Sequence, residues 1–372
     1  MMASLSDILA SGLDGTPHPL FPGAVAIQLH DGKVACTAAV GDAVRYGRPG
    51  PDKSAGPLDE YPVDQRTVMT TDTVFDLASI TKVFTTVVVM TLVEEGLFNL
   101  DEPIAAHLPS FAGGNRRQVT LRGLLTHTSG LALPPLLQLW TDWPDRDSRV
   151  QAVLNTPLVA EPGSKFLYSC YNFILAGLLA EEVSGRSLVD LVTERVLIPL
   201  KLSDTGYLPA PDLKRRIAAT EYQPCVGRGV VHGDVHDVNS WSLGGAAGNA
   251  GIFSTAGDVA RLGEMLRLGG VLDDARILTE ESVLEMTRDQ LPSDIDPGWR
   301  QGLGVRIAAP SWMGSLAADE AFGHTGSSGT ALIVDQVRRL TIVLLTNRVH
   351  PSREWSDVDA IRARVCDWAV KI

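Results

Sequence analysis

One stretch of the chain constrains the fold more than any other, because no surface helix could carry it. Residues 83–90 read Val-Phe-Thr-Thr-Val-Val-Val-Met. The pattern predicts a helix over about 79–95, stopped by Gly96, a residue suited to the left-handed turn that closes a helix. Its centre is apolar on nearly every side, so it belongs in the middle of the molecule. The apolar run 83–93 is far short of the roughly 20 residues that span a bilayer. Burying such a helix needs a large core, and 372 residues with 45% hydrophobic content supply one. That content excludes a disordered, collagen-like or coiled-coil chain. At roughly 150 residues per domain, the length fits two packed lobes or one large domain.

Charge and cysteines narrow the class further. The net charge is −12. With no basic block, the chain lacks the clustered Lys and Arg that a nucleic-acid surface needs. Cys36, Cys170, Cys225 and Cys366 lie far apart with no CxxC pair, so neither a zinc knuckle nor a disulfide framework is indicated. Residues 1–20 lack the basic start and apolar stretch of a secretory signal. The expectation is a soluble cytoplasmic protein with reduced thiols.

Strand signals gather at the two ends. Residues 24–29 and 34–38 flank Asp31-Gly32, a pair that favours a tight hairpin turn. Residues 330–334 and 340–345 form a second hairpin around 335–339. The segment 45–64, rich in Pro, Gly and Asp, reads as a surface loop. Between the ends the pattern is helical, with candidates at 171–183 (stopped by Gly185) and at 188–197 (capped by Ser187). A helix capped by Ser254-Thr255 and a last one from Ser356 complete the set. The expected fold is therefore α/β (α+β): an antiparallel sheet flanked by helices and built from both chain ends, residues 1–100 and 255–372, with an inserted all-helical lobe at 101–254.

The same buried helix carries the first chemistry. Ser79-Ile80-Thr81-Lys82 puts a serine and a lysine three apart, on one helical face. Ser79 falls in the first turn, where free N–H groups favour developing negative charge. Burial disfavours the ammonium form of Lys82, and a lysine with a lowered pKa can take a serine proton. Of the seven lysines, only Lys82 has a serine three residues before it. The plain alternative is a helix-capping serine beside a snorkelling lysine. No G-x-S-x-G elbow and no H-E-x-x-H occurs.

Two further features stand beside it. Tyr168-Ser169-Cys170 opens a central helix, where a tyrosine is more often a packing residue. Gly323-His324-Thr325-Gly326-Ser327-Ser328-Gly329 precedes a strand, and its small residues permit close backbone approach by a ligand.

Taken together in this order, these motifs resemble those of the serine β-lactamase-like superfamily: penicillin-recognising transpeptidases and DD-peptidases, class C β-lactamases and related family VIII-type esterases. Ser79–Lys82 matches S-x-x-K, Tyr168 the first position of Y-x-N, and His324-Thr325-Gly326 the K/H-T-G motif. Residues 124–131 and 244–255 are similar to its supporting stretches. The resemblance implies an α/β lobe, a helical lobe and a site in the cleft between them. It implies Ser79 as nucleophile, with Lys82 and Tyr168 sharing proton transfer. The backbone N–H groups of Ser79 and Ser327 would form the oxyanion hole.

The departures bear on the substrate. Cys170 replaces the Asn of Y-x-N, and a thiol is a poor substitute donor and acceptor. His324 stands where β-lactamases usually keep Lys, and a neutral imidazole attracts a carboxylate less well than an ammonium. Both shift the expectation from a peptide or β-lactam towards an ester of a small or lipophilic substrate. Residues 131–149 read as a loop or lid, with Trp140 and Trp143 offering a greasy pocket; a hydrophobic core loop is the alternative. His324, Thr325, Gly326, Cys170, Trp140, Trp143 and His236 are the expected substrate contacts, with no metal or cofactor. The rivals are an amidase, DD-peptidase, β-lactamase or acyltransferase on the same scaffold, a silent binding module, and a metal hydrolase. The last would use the His232-Gly233-Asp234-Val235-His236-Asp237 cluster.

Overall fold

The computed structural model describes residues 3–47, 58–132, 138–319 and 321–371. Much of the 45–64 loop thus lies outside the described residues, as does part of the 131–149 segment.

Eight strands form one antiparallel sheet: β1 (Gly23–His30), β2 (Lys33–Val44), β3 (Thr67–Val68), β4 (Arg300–Gln301), β5 (Arg306–Ile307), β6 (Phe322–Thr325), β7 (Ala331–Asp335) and β8 (Leu340–Thr346). Their order is β4-β5-β6-β7-β8-β1-β2-β3, so the two ends of the chain meet where β8 pairs with β1. Asp31 and Gly32 both take positive φ, at 54° and 76°, and close the β1–β2 hairpin as their sequence requires. Both expected hairpins are present.

Successive side chains of the central strands point to opposite faces, and both faces are covered. Val25, Leu332, Val334, Val343 and Leu345 enter the main core, which also holds the long buried helix. Ala24, Ala26, Ile333, Ile342 and Leu344 enter a second core. This second core packs under the helices α1 (Leu5–Ala10) and α5 (Asp359–Ala369). The last helix therefore starts at Asp359 rather than Ser356, although Val358, Ile361, Val365 and Trp368 are buried as their spacing implies.

The helix α2 (Thr81–Glu94) is buried from Thr81 to Leu92. Each buried Val, Leu or Phe side chain contributes about 1.5–3 kcal/mol relative to exposure. Its threonines do not disturb the apolar setting, because each of three finds a partner. Thr85 Oγ1 donates to Gly248 O at 2.8 Å, Thr86 Oγ1 to Lys82 O at 2.8 Å, and Thr81 Oγ1 accepts from Ile252 N at 3.2 Å. The glycine-rich 244–251 segment thus runs beside α2. A Cβ at Gly248 would fall 2.0 Å from Phe173 O, so only glycine lets that segment pass the helix α3 (Cys170–Ser184). Gly185, at φ 67°, ends α3, and Thr255 caps α4 (Ala256–Arg267). The expected 188–197 helix is α-helical at Leu188–Val192 and then widens to a π-turn at Thr193–Leu197. No strand of the large sheet falls between residues 69 and 299 among the described residues, a stretch that is mainly helix and loop.

Candidate active site

Ser79 is the only residue between Thr73 and Leu92 that is not buried. It sits in a 3-10 turn, Ala78–Ile80, immediately before α2 rather than in the helix's first α-turn. The turn is entered through Ala78 at φ 47°, a left-handed conformation that costs a residue with a Cβ about 1–2 kcal/mol. The preceding strand, Phe75–Asp76, pairs with Ile252–Ser254 and fixes the approach.

Three side chains converge here. Lys82 Nζ lies 2.9 Å from Ser79 Oγ, and Tyr168 OH donates to the same Oγ at 2.9 Å. Lys82 Nζ also donates to Asn249 O at 3.0 Å and stands 4.0 Å from Cys170 Sγ. Burial pushes the Lys82 ammonium down, but Cys170, Tyr168 and Asp237 outweigh it, and the net direction is upward. The expectation of a lysine with a lowered pKa is corrected accordingly. An apolar helix was the only environment visible along the sequence, and the acidic atoms come from elsewhere in the chain. Burial raises the Cys170 thiol, with Lys82 opposing.

Tyr168 is held by a residue that the sequence reading did not single out. His127, itself at φ 60°, accepts through Nδ1 from Ser169 N–H at 3.2 Å and from Asn172 Nδ2 at 2.9 Å. Its carbonyl accepts from Leu167 N–H at 2.8 Å, and its ring lies 4.4 Å from that of Tyr168. Burial holds His127 well below the usual histidine range, so it is neutral and its Nδ1 is free to accept. The signal lay in the Thr126-His127-Thr128-Ser129-Gly130 stretch, whose role no local pattern reveals.

The third motif lies on β6 and the turn that follows it. His324 is buried, its Nδ1 paired with Thr325 O at 2.7 Å and its ring 6.2 Å from Tyr168. Burial keeps it neutral, with Arg306 and Lys82 acting in the same direction. The small residues do permit a close approach, but by the protein's own chain. A Cβ on Gly326 would meet Leu77 O at 2.4 Å and Thr330 Oγ1 at 2.1 Å. Thr330 Oγ1 donates to Leu77 O at 2.9 Å and Ser328 Oγ to Asp76 O at 2.8 Å, tying this loop to the Ser79 strand. Ser327 is exposed, and its N–H has no main-chain acceptor among the described residues.

Arg306 on β5, opposite Gly323, carried no sequence signal. Its guanidinium lies 5.4 Å over the Tyr168 ring and 4.6 Å over the Trp299 ring. Its Nε has no hydrogen-bond partner among the described residues, and burial lowers its pKa, with Tyr168 opposing.

Two further groups of expected residues have partners of their own. His236 is 2% exposed, and its Nε2 is engaged by Glu221 at 2.9 Å. His232 Nε2 faces Ile217 O at 2.9 Å. The two imidazoles thus serve separate partners, and among the described residues no group of three His, Cys, Asp or Glu is arranged to hold a metal. Trp143 packs against the main core, and the short helix Leu139–Asp142 packs against Val238–Ser242. Neither Trp140 nor Trp143 makes a ring contact with Tyr168 among the described residues.

The family model described as Beta-lactamase matches residues 17–366. The chain belongs to the beta-lactamase family. A "Putative D-alanyl-D-alanine carboxypeptidase" of Escherichia coli (strain K12) is 31% identical over 360 residues, covering 89% of this chain and 79% of that one. An "N-acetylmuramyl-L-alanine amidase" of Bacillus subtilis (strain 168) is 31% identical over 363 residues, covering 89% and 78%. The solved structure of EstCE1, a hydrolase with promiscuous acyltransferase activity, superposes with a TM-score of 0.74 at 23% identity, covering 97% and 96%. As a beta-lactamase-family protein, the chain has a serine-hydrolase fold. No helix among the described residues is long and apolar enough to cross a membrane.

Proposed function

We propose that the protein cleaves a carboxylic ester through an acyl intermediate on Ser79. The observation that carries this reading is the position of Ser79 Oγ, 2.9 Å from both Lys82 Nζ and Tyr168 OH, at the one uncovered point of a buried segment. Lys82, held upward as an ammonium, lies 2.9 Å from Ser79 Oγ, where negative charge develops as the hydroxyl reacts. Tyr168 takes the Ser79 proton as Oγ attacks the carbonyl, and passes it to the leaving alcohol. It then takes a proton from the attacking water and returns it to Ser79 Oγ as the acid leaves. The N–H groups of Ser79 and Ser327 receive the developing oxyanion, each worth about 3 kcal/mol in such sites. The neutral, buried His324 and the Cys170 thiol offer little to a peptide's polar groups and support an ester. Trp140 and Trp143 remain candidates for the greasy wall of the acyl or alcohol pocket.

A second reading is favoured by Arg306. A guanidinium stacked on Tyr168 with its Nε unpartnered suits a carboxylate at the end of the substrate, as in a D-alanyl-D-alanine peptide. Turnover of matched esters, amides, penicillins and a D-alanyl-D-alanine peptide separates the two. The ester reading expects neutral esters to be hydrolysed fastest, with Arg306→Gln changing their kcat/KM by less than about threefold. Hydrolysis of the peptide above all others, weakened about 30-fold or more by the same substitution, would replace it with the second reading.

A further inference from the structure

Asp76 lies on the strand just behind Ser79 and is fully enclosed, at 2% exposure. Both of its carboxyl oxygens accept main-chain N–H groups. Oδ1 takes Ala78 N–H at 2.8 Å, and Oδ2 takes His236 N–H at 2.7 Å. Ala78 is the residue in the left-handed conformation, and the next N–H along the chain belongs to Ser79. The main-chain oxygen of Asp76 meanwhile accepts from Ser328 Oγ at 2.8 Å, one residue beyond Ser327. The brace is itself anchored from behind. His236 is held through its ring by Glu221 and through its carbonyl by Gln223 Nε2 at 3.0 Å, and Glu221 is gripped by Arg353 at 2.7 Å. The opposite loop is held by Arg362 Nη2, which donates to Gly326 O at 3.0 Å and Thr330 O at 2.9 Å.

We propose that Asp76 is a positioning residue that sets both halves of the oxyanion hole. Its carboxyl group braces the Ala78 turn that aims the Ser79 N–H, and its carbonyl holds the loop that presents the Ser327 N–H. This rests on Ser79 being the nucleophile. Two accepting oxygens matter because one N–H donor approaches each of them. An amide of the same shape must turn its NH2 towards one of the two donors and lose that bond. Glycine at position 78 would hold a left-handed turn without any brace.

The test is the single-turnover rate of Ser79 acylation by a chromogenic ester, followed by stopped flow, with intact mass confirming the adduct. Asp76→Asn should slow acylation about 100-fold while the ester concentration for half-maximal rate moves by less than about threefold. Adding Ala78→Gly should recover about tenfold. A merely structural role would lower the burst amplitude or the melting temperature, leave the rate per active site unchanged, and overturn the proposal. A slowed rate that Ala78→Gly does not improve would also overturn it. Should Asp76→Asn fail to fold, Ser328→Ala decides through the carbonyl half. It should slow acylation about tenfold with no recovery from Ala78→Gly, and an unchanged rate overturns the proposal. If the unsubstituted protein forms no adduct at Ser79, the nucleophile assignment falls and this inference with it. If the adduct forms, the variants judge Asp76 alone.

Discussion

Two polar clusters flank residues 76–82, one in front of Ser79 and one behind it, and they differ in what their cations hold. In front, Lys82 is completely buried, yet its partners are a hydroxyl, a carbonyl and a thiol. Behind, Arg353 grips Glu221 through Nε and Nη2, and Glu221 also receives the His236 ring. A cation clasped to a carboxylate fixes geometry. A cation facing neutral, ionisable groups instead biases where their protons sit. The front cluster accordingly suits proton transfer, and the rear cluster suits support.

Substitutions in the two clusters should therefore fail in different ways. The largest effect is expected for Ser79→Ala: ester turnover should fall by about 10^4-fold or more, with the melting temperature held within a few degrees. Activity near normal in that variant would remove the front cluster's claim. Next come Lys82→Ala and Tyr168→Phe, each expected to lower kcat/KM by about 10^2- to 10^4-fold in the same steady-state assay. If either lost stability but kept activity, the two clusters would have exchanged roles.

The rear cluster should answer chiefly in stability. Glu221→Gln, read by chemical denaturation, is expected to cost about 2 kcal/mol because the His236 ring and Arg353 lose a shared charged acceptor. Its pH dependence has a definite sign. Burial alone would raise the Glu221 carboxyl, but hydrogen bonds from His236 and Arg353 outweigh it and hold it far below the usual range. The stability it lends is then complete above the ordinary glutamate value, near pH 4.3, and is lost as the pH falls towards the depressed one. Thermal melts between pH 3 and 7 should show that acid loss in the unsubstituted protein and a weaker one in Glu221→Gln. The smallest change is expected for Cys170→Asn, which restores the third position of Y-x-N. Ester turnover should shift by about three- to tenfold, with amide turnover gaining relative to it, as competition between matched substrates would show.

The legible parts of this molecule were those written in contiguous residues. The Asp31-Gly32 and 335–339 hairpins, the stop at Gly185, and the buried run through Val87 and Val88 follow from turn chemistry and periodicity. The placement of Ser79 beside Lys82 follows from their three-residue spacing. Tyr168 was reachable only through the family resemblance, since 86 residues separate it from Lys82 in the chain and no local rule joins them. What stayed hidden depends on such distant contacts: the acidic neighbours that reverse the Lys82 shift, the grip of His127 on the Tyr168 loop, and Arg306 over the Tyr168 ring. His236 was noticed for its ring chemistry. Its main-chain N–H is what reaches the Ser79 strand, and a sequence does not show which atom of a residue will matter.

The most direct test of the Ser79 assignment is peptide mapping of the acyl adduct trapped by acid quench during turnover of an activated ester. The account predicts one acyl group per chain, on the peptide containing Ser79, absent from Ser79→Ala and formed far more slowly in Tyr168→Phe. An adduct on the Cys170 peptide, or one that persists undiminished in Ser79→Ala, would contradict it.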